Sequence, residues 1–375
     1  MRIAAITNSR IPSATANSIQ AMKVCDALQQ SGHIVRLIAP AEGPMASWDA
    51  LARHYGIRHA FELEWLPSQR GLKRLDFVWY AHLAARRFRA NLIYTWLPQT
   101  AAVESLLGRQ VVLEMHADVA GLLGAWWLRR FCRATSKRRL LVTTEALRDA
   151  LQRSTGIRLD NSLIQIAPNA VDLERYVNLP SPDEARSVLQ LRPGTTAGFT
   201  GHFYSGRGID LLYEIARALP DINFLWVGGT PEAVREWQAK LSLDGQSNVT
   251  LTGFIENSRL PMYQAAADVL LMPYGRSVEA SSGQNIAEVI NPMKMFEYMA
   301  TGRAIITSDL PVIREVLDQT QAVFCPPGDA KAWIGAVKRL SSDPVKRAEL
   351  ATNARRNVEE HTWLARAQKA LQGIA

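Results

Sequence analysis

Cysteine is scarce in this chain of 375 residues: Cys25, Cys132 and Cys325 stand far apart, at no metal-ligand spacing. That excludes a disulfide scaffold or a zinc framework and points to a reducing compartment, the cytoplasm by default. Long apolar runs are missing as well. Stretches such as Leu140–Val142 and Val269–Met272 fall far short of the roughly 20 residues of a membrane helix, and the polar Asn8-Ser-Arg10 ends the first apolar run, so neither a span nor a signal peptide is expected. No Gly-x-Gly-x-x-Gly follows the first apolar segment, which leads instead into Asn8-Ser-Arg-Ile-Pro-Ser13 and disfavours a dinucleotide oxidoreductase. No Asp-x-Asp occurs anywhere, and no low-complexity tract.

What is present describes an ordinary folded protein: 47% hydrophobic and 21% charged residues, in a length that predicts two domains, each able to bury its own core. The net charge of +8 is unevenly placed. Residues 1–180 carry 23 Lys and Arg against 14 Asp and Glu, so the whole basic excess lies in the N-terminal half. Such asymmetry concerns partners rather than fold, and admits nucleic acid, an anionic membrane or a phosphorylated ligand.

Apolar segments of strand length alternate with helical periodicity throughout. Ile3–Ile6 is followed by a helical face of Ile19, Met22, Cys25 and Leu28, closed by Gly32, and then by a strand over Ile34–Ile38. The second half repeats this with strands at Ala197–Thr200, Phe224–Val227, Val249–Leu251, Val269–Met272, Ala304–Thr307 and Ala322–Phe324. Helices are expected between them, including one from Pro292 to Ala300 and one around Ile313. The pattern predicts an α/β chain of two doubly wound, Rossmann-like domains with a ligand cleft between them. The Pro-rich Asn178-Leu-Pro-Ser-Pro-Asp183 marks the linker. The expected division is 1–185, 186–355 and a C-terminal helix, 356–375, packing back toward the first domain.

Two segments carry chemistry on their own residues. Gly201-His-Phe-Tyr-Ser-Gly-Arg-Gly208 joins a strand to a helix, where glycines let backbone approach a phosphate, the helix start offers free N–H groups and Arg207 adds a bidentate cation. Asn291-Pro-Met-Lys-Met-Phe-Glu297 starts a helix with Asn291 as N-cap and Pro292 as first residue. Lys294 in its first turn is unfavourable against the dipole unless an anion binds nearby. Glu297, about one turn on, is placed to accept from sugar hydroxyls. A structural turn and a capped helix with solvated side chains are the alternatives.

These segments, with Leu225-Trp-Val-Gly-Gly229, Thr252-Gly-Phe254, Pro292 to Gly302 and Thr307 to Val316, resemble the donor domain of the family 4 retaining glycosyltransferases of GT-B fold. Asn17 to Met22, Glu114-Met-His116, Thr143 to Leu147 and Ala167 to Asp172 extend the likeness over nearly the whole chain. The resemblance implies a glycosyltransferase moving a sugar from a nucleotide-sugar to a glycan or lipid-linked acceptor, in cell-surface polysaccharide or glycolipid synthesis. It implies no metal and no cofactor beyond the nucleotide-sugar substrate. Donor contacts are expected from Gly201, His202, Arg207, Gly253, Phe254, Asn291, Pro292, Met293, Lys294 and Glu297, with Arg207 on the diphosphate and Glu297 on the ribose. His116, Lys294 and Arg207 are the expected catalytic group, His116 facing the donor sugar. Asn17, Ser18 and Asp118 are acceptor-side candidates. Val289 stands where the family's first glutamate belongs, with Glu288 adjacent, and His202 stands where arginine is frequent. Another GT-B activity, an epimerase or phosphorylase, or a non-catalytic nucleotide-sugar-binding subunit are the alternatives.

Trp126 to Arg139 holds six basic residues and no acid beside Trp126, Trp127 and Phe131. Arg70 to Arg89 interleaves bases with Leu72, Leu75, Phe77, Trp79 and Tyr80. With no nucleic-acid module in view, an anionic membrane surface is the expected partner, making the protein peripheral at the inner membrane face. A core helix with a solvated basic face is the alternative.

Overall fold

The computed structural model describes residues 1–375 except 44, 70, 72, 73, 120, 280–284 and 375. Its contacts divide the chain into two compact units, residues 1–169 with 363–375, and residues 170–362. Arg70 and Leu72 of the second basic stretch lie outside the described residues.

The first unit holds strands β1 (Arg2–Ile6), β2 (Ile34–Pro40), β3 (Glu62–Leu66), β4 (Leu92–Thr95), β5 (Gln110–Met115), β6 (Arg138–Val142) and β7 (Ile164–Ile166). They form one sheet in the order β3-β2-β1-β4-β5-β6-β7, every pair parallel. Ile3 pairs with both Val35 and Leu92, so the winding reverses beside β1. There the strand's apolar run, Ile3 to Ile6, is fully buried, as helices on both faces require. The helix Ala16–Gln30 presents Met22, Cys25 and Leu28 to the core, and Gly32 turns the chain at φ 83°. The last helix, Trp363–Leu371, belongs to this unit and packs against Ala16–Gln30.

The second unit holds β8 (Thr196–Thr200), β9 (Asn223–Val227), β10 (Val249–Leu251), β11 (Val269–Met272), β12 (Ala304–Ser308) and β13 (Ala322–Cys325). Its sheet runs β10-β9-β8-β11-β12-β13, also parallel, with the reversal between β8 and β11. Phe199, Phe224, Trp226, Leu271, Ile306 and Trp333 join in one buried core. The helix Pro182–Val188, which spans the expected boundary at 185/186, carries a capping box between Ser181 and Glu184. Its Arg186 donates to the Ala266 carbonyl and to Asp268, both at 2.9 Å, which ties it to the second unit.

Two local expectations change. The segment around Ile313 is a succession of turns: the N–H groups of Ile313 and Arg314 both reach Leu310 O, and those of Val316 and Leu317 both reach Ile313 O. Carbonyls shared in this way do not propagate the regular i→i+4 ladder of an α-helix. The helix expected from Pro292 begins at Met293, with Pro292 rather than Asn291 at the N-cap and no side-chain cap. Pro292 there has extended backbone, ψ 130°, a conformation its ring tolerates at the edge of a helix as readily as inside the first turn. Among the described residues no helix is long and apolar enough to cross a membrane.

Candidate active site

In the second unit the chemistry gathers at the carboxyl end of β8, beside the reversal of strand order where doubly wound sheets bind ligands. Gly201 follows β8 at φ 144°, and a Cβ on it would lie 2.6 Å from Lys294 Nζ. The positive φ favours glycine, and the missing Cβ leaves the space that the ammonium fills. The turn closes at Gly208, where a Cβ would lie 2.0 Å from Pro273 O, and the helix Ile209–Ala218 starts there. Arg207 is thereby held against Tyr274: its Nη1 donates to the phenol oxygen at 3.1 Å, and its Cζ is 5.4 Å from the ring centroid. The buried Arg207 Nε has no hydrogen-bond partner among the described residues. Lys294 Nζ approaches the same ring to 5.5 Å, and that of Phe199 to 4.1 Å. Lys294 has no hydrogen bond or ion pair among the described residues; burial and the neighbouring Arg207 push its pKa well below the ordinary lysine value, against the pull of Glu297.

Glu297 is held on the next turn. Gln264 Nε2 donates to its Oε2 at 2.9 Å, while Gln264 Oε1 accepts from Tyr176 at 3.0 Å. Tyr298, from the same helix as Glu297, accepts from the Thr200 N–H at 2.8 Å. Gly201, Arg207, Lys294 and Glu297 are therefore set by one connected framework. Around them, the Gly228 N–H donates to Gly253 O at 2.9 Å, Phe254 is half exposed and His202 stacks on Tyr204 with ring centroids 4.8 Å apart. Asn291 and Pro292 are buried and Met293 is half-buried. Val289 is buried and apolar, whereas Glu288 faces solvent, so Glu288 does not take the inward place of its neighbour.

In the first unit the corresponding feature is a buried carboxylate. Glu114, on β5, accepts from Gln20 Nε2 at 2.6 Å, from His116 Nε2 at 2.7 Å, and from the phenol of Tyr94. Arg366, from the C-terminal helix, grips both carboxylate oxygens, at 2.5 and 3.3 Å. Burial alone would raise the Glu114 pKa, but the guanidinium and the histidine hydrogen bond hold it down to about 2. His116 follows β5 and remains partly exposed. Of the acceptor-side candidates, Asn17 is exposed at the start of its helix. Ser18 is fully buried and donates to the carbonyls of Ser13 and Thr15 at 2.8 and 2.9 Å, leaving it no face for a ligand. Asp118 is exposed and accepts from Ser154 Oγ at 2.7 Å.

Sequence reasoning missed Gln264, Tyr274 and Arg366. Glu114 and His116 carried a legible signal, since residues i and i+2 at a strand end face the same side. Arg366 lies 252 positions from its partner and carried none.

The basic stretch at Trp126 to Arg139 resolves into two kinds of residue. Arg129 donates to Thr155 O, Arg138 to Cys132 O at 2.7 Å, and Arg139 to Ala370 O at 2.9 Å, all structural contacts. Arg130, Arg133 and Lys137 face solvent. Phe131 is core, whereas Leu122, Leu123 and Trp126 are exposed on the same helix, Gly121–Cys132.

Residues 18–175 match the model of the family described as Glycosyltransferase Family 4, and residues 194–343 that of Glycosyl transferases group 1. The chain belongs to the family 4 glycosyltransferases, of GT-B type. It is 31% identical over 149 residues to TuaH of Bacillus subtilis, named for teichuronic acid biosynthesis, a match spanning 40% of this chain and 35% of that one. It is 22% identical over 362 residues to a phosphatidyl-myo-inositol mannosyltransferase of Mycolicibacterium smegmatis, covering 91% of this chain and 85% of the relative. The structure of HepE from Anabaena in complex with UDP shares the fold with a TM-score of 0.75, at 17% identity over 99% of each chain. The protein is thus a glycosyltransferase, and the two relatives from Bacillus and Mycolicibacterium are named for polysaccharide and glycolipid synthesis.

Proposed function

We propose that the protein is a retaining transferase that takes a sugar from a nucleoside diphosphate sugar, bound by the second unit, to a glycan or lipid-linked acceptor bound by the first. The observation that carries this is the pair of cations, Arg207 and Lys294, on one tyrosine ring with no carboxylate bonded to either among the described residues. Two like charges in a half-buried pocket are costly alone and favourable once an anion of matching charge lies between them. A diphosphate fits that requirement, and the two cations stabilise it as it leaves. Glu297, oriented by Gln264, accepts from the ribose hydroxyls, and His116 meets the donor sugar. The front-face course, in which the departing diphosphate helps take the acceptor proton, follows from family likeness. Calorimetry with UDP-, GDP- and ADP-sugars, followed by product analysis with and without acceptor, tests this reading. One donor class binding, with transfer only when acceptor is present, is the expected result; product without acceptor would instead favour an epimerase.

The first unit meets an anionic membrane where a lipid-linked acceptor resides. Support comes from Leu122, Leu123 and Trp126 exposed beside Arg130 and Arg133, and from Leu75, Trp79 and Tyr80 exposed on the helix Leu75–Arg87. Exposed apolar residues beside basic ones on a helix are what an interfacial helix offers to acidic lipid. Each basic residue contributes about 1 kcal/mol there, screened over a Debye length of about 8 Å at physiological salt. Flotation is expected only with vesicles containing acidic lipid, weakening as salt rises, and is lost when Arg130, Arg133 and Lys137 are changed together to Glu. Equal flotation with neutral vesicles would overturn the electrostatic part.

A further inference from the structure

The Glu114 carboxylate is bonded on both oxygens. Oε1 accepts from Gln20, His116 and Arg366, and Oε2 from Tyr94 and Arg366. Arg366 is itself held on both sides: besides this two-pronged grip, its Nε donates to Pro168 O at 2.8 Å and its Nη2 to Ala167 O at 3.0 Å. A guanidinium in that position keeps the carboxylate ionised, and an ionised carboxylate is acceptor-only. Whichever group faces it must therefore bring a proton. The ring nitrogen of His116 that faces it is Nε2, and Nδ1 has no partner among the described residues.

We propose that Arg366 is a positioning residue: by holding Glu114 as an acceptor-only carboxylate, it fixes a proton on His116 Nε2, so that the ring carrying a single proton offers Nδ1 as an acceptor toward substrate hydroxyls. The hydrogen bond made by one imidazole nitrogen sets the state of the other. The residue doing the setting stands on the helix Trp363–Leu371, after the chain has returned from the second unit, so the site in the first unit is incomplete without its C-terminal segment. The inference rests on the reading of His116 as a donor-sugar contact. When the cation at 366 is removed, the buried Glu114 takes a proton from solvent to avoid an uncompensated charge. The new O–H donates to His116 Nε2, the ring proton moves to Nδ1, and an acceptor becomes a donor where the sugar binds.

The test uses the full chain labelled with ¹⁵N-histidine, His116 being assigned by its absence in His116→Gln. Long-range proton–nitrogen correlation at neutral pH is expected to show the Nε2–H form in the wild type. Arg366→Met should show the Nδ1–H form and Arg366→Lys should restore Nε2–H. With nucleotide-sugar, Arg366→Met should lower kcat about tenfold or more, as loss of a partner that orients a functional histidine does, with KM nearly unchanged. An Nδ1–H ring in the wild type, which needs no variant to fold, overturns the proposal. So does a tautomer that ignores residue 366. Wild-type turnover in His116→Ala overturns the reading of His116 instead, and leaves the tautomer result standing.

Discussion

At the end of β5 a buried carboxylate receives donors from four side chains, whereas beside the end of β8 two cations flank one tyrosine with no carboxylate bonded to either among the described residues. The first arrangement is complete in the protein by itself. A buried ion pair with every lone pair used is rigid, and it serves to orient what touches it, here His116. The second is left unfinished. Burial, and after it the like charge of Arg207, depress the pKa of Lys294, an expense the fold tolerates when a ligand later offsets it. The contrast separates scaffolding from binding more sharply than the residue types do, because both sites are made of the same charged side chains.

The largest effect is expected from breaking the completed site. Arg366→Met removes the cation that holds the buried Glu114 ionised, a loss of about 3 to 5 kcal/mol in urea unfolding, and adding Glu114→Gln should recover much of it because an amide there needs neither a cation nor a proton. Acid makes the same break without mutation. The folded pKa of Glu114 is depressed from 4.5 to about 2, so the stability it contributes is present above pH 4.5 and is lost as pH falls toward 2. The contribution is about 3 kcal/mol, and Glu114→Gln should flatten that part of the stability curve. If acid unfolding is identical in the two proteins, the carboxylate is not held as described.

The unfinished site should respond in the opposite way. Arg207→Ala removes a charge-assisted contact to a diphosphate, weakening nucleotide-sugar binding by roughly 1.5 to 3 kcal/mol in calorimetry, while urea stability stays level or rises because Lys294 loses a like-charged neighbour. A stability loss equal to the binding loss would make Arg207 structural. The smallest effect concerns protons. The free protein's Lys294 deprotonates below the ordinary lysine range, and a bound diphosphate raises its pKa again. Affinity for a nucleotide-sugar, whose diphosphate does not titrate there, should therefore fall as pH rises above the free-protein value, by at most about tenfold per pH unit. Lys294→Met should bind more weakly and lose that slope.

Most of the second unit was legible in sequence, because fully buried parallel strands are continuous apolar runs and the turn at Gly201 to Gly208 needs its glycines locally. Arg207, Lys294 and Glu297 were readable for the same reason: each stands a few residues from a strand end or helix start that its own neighbours specify. The segment around Ile313 shows the limit, since its apolar spacing fits a helix while its hydrogen bonds form turns. The aromatic-basic stretch shows another. Phe131 and Trp126 read alike in sequence, yet one is core and the other exposed.

The sequence by itself determined the α/β architecture, the strand ends and the family, since these rest on local periodicity, turn chemistry and motif order. Tertiary structure alone decided that Tyr274 would be shared by two cations, that Gln264 would orient Glu297, and that Arg366 would cross 252 positions to clamp Glu114. A buried charge must find its partner in space, and nothing in the spacing of residues along a chain encodes which distant side chain the packing will bring to it.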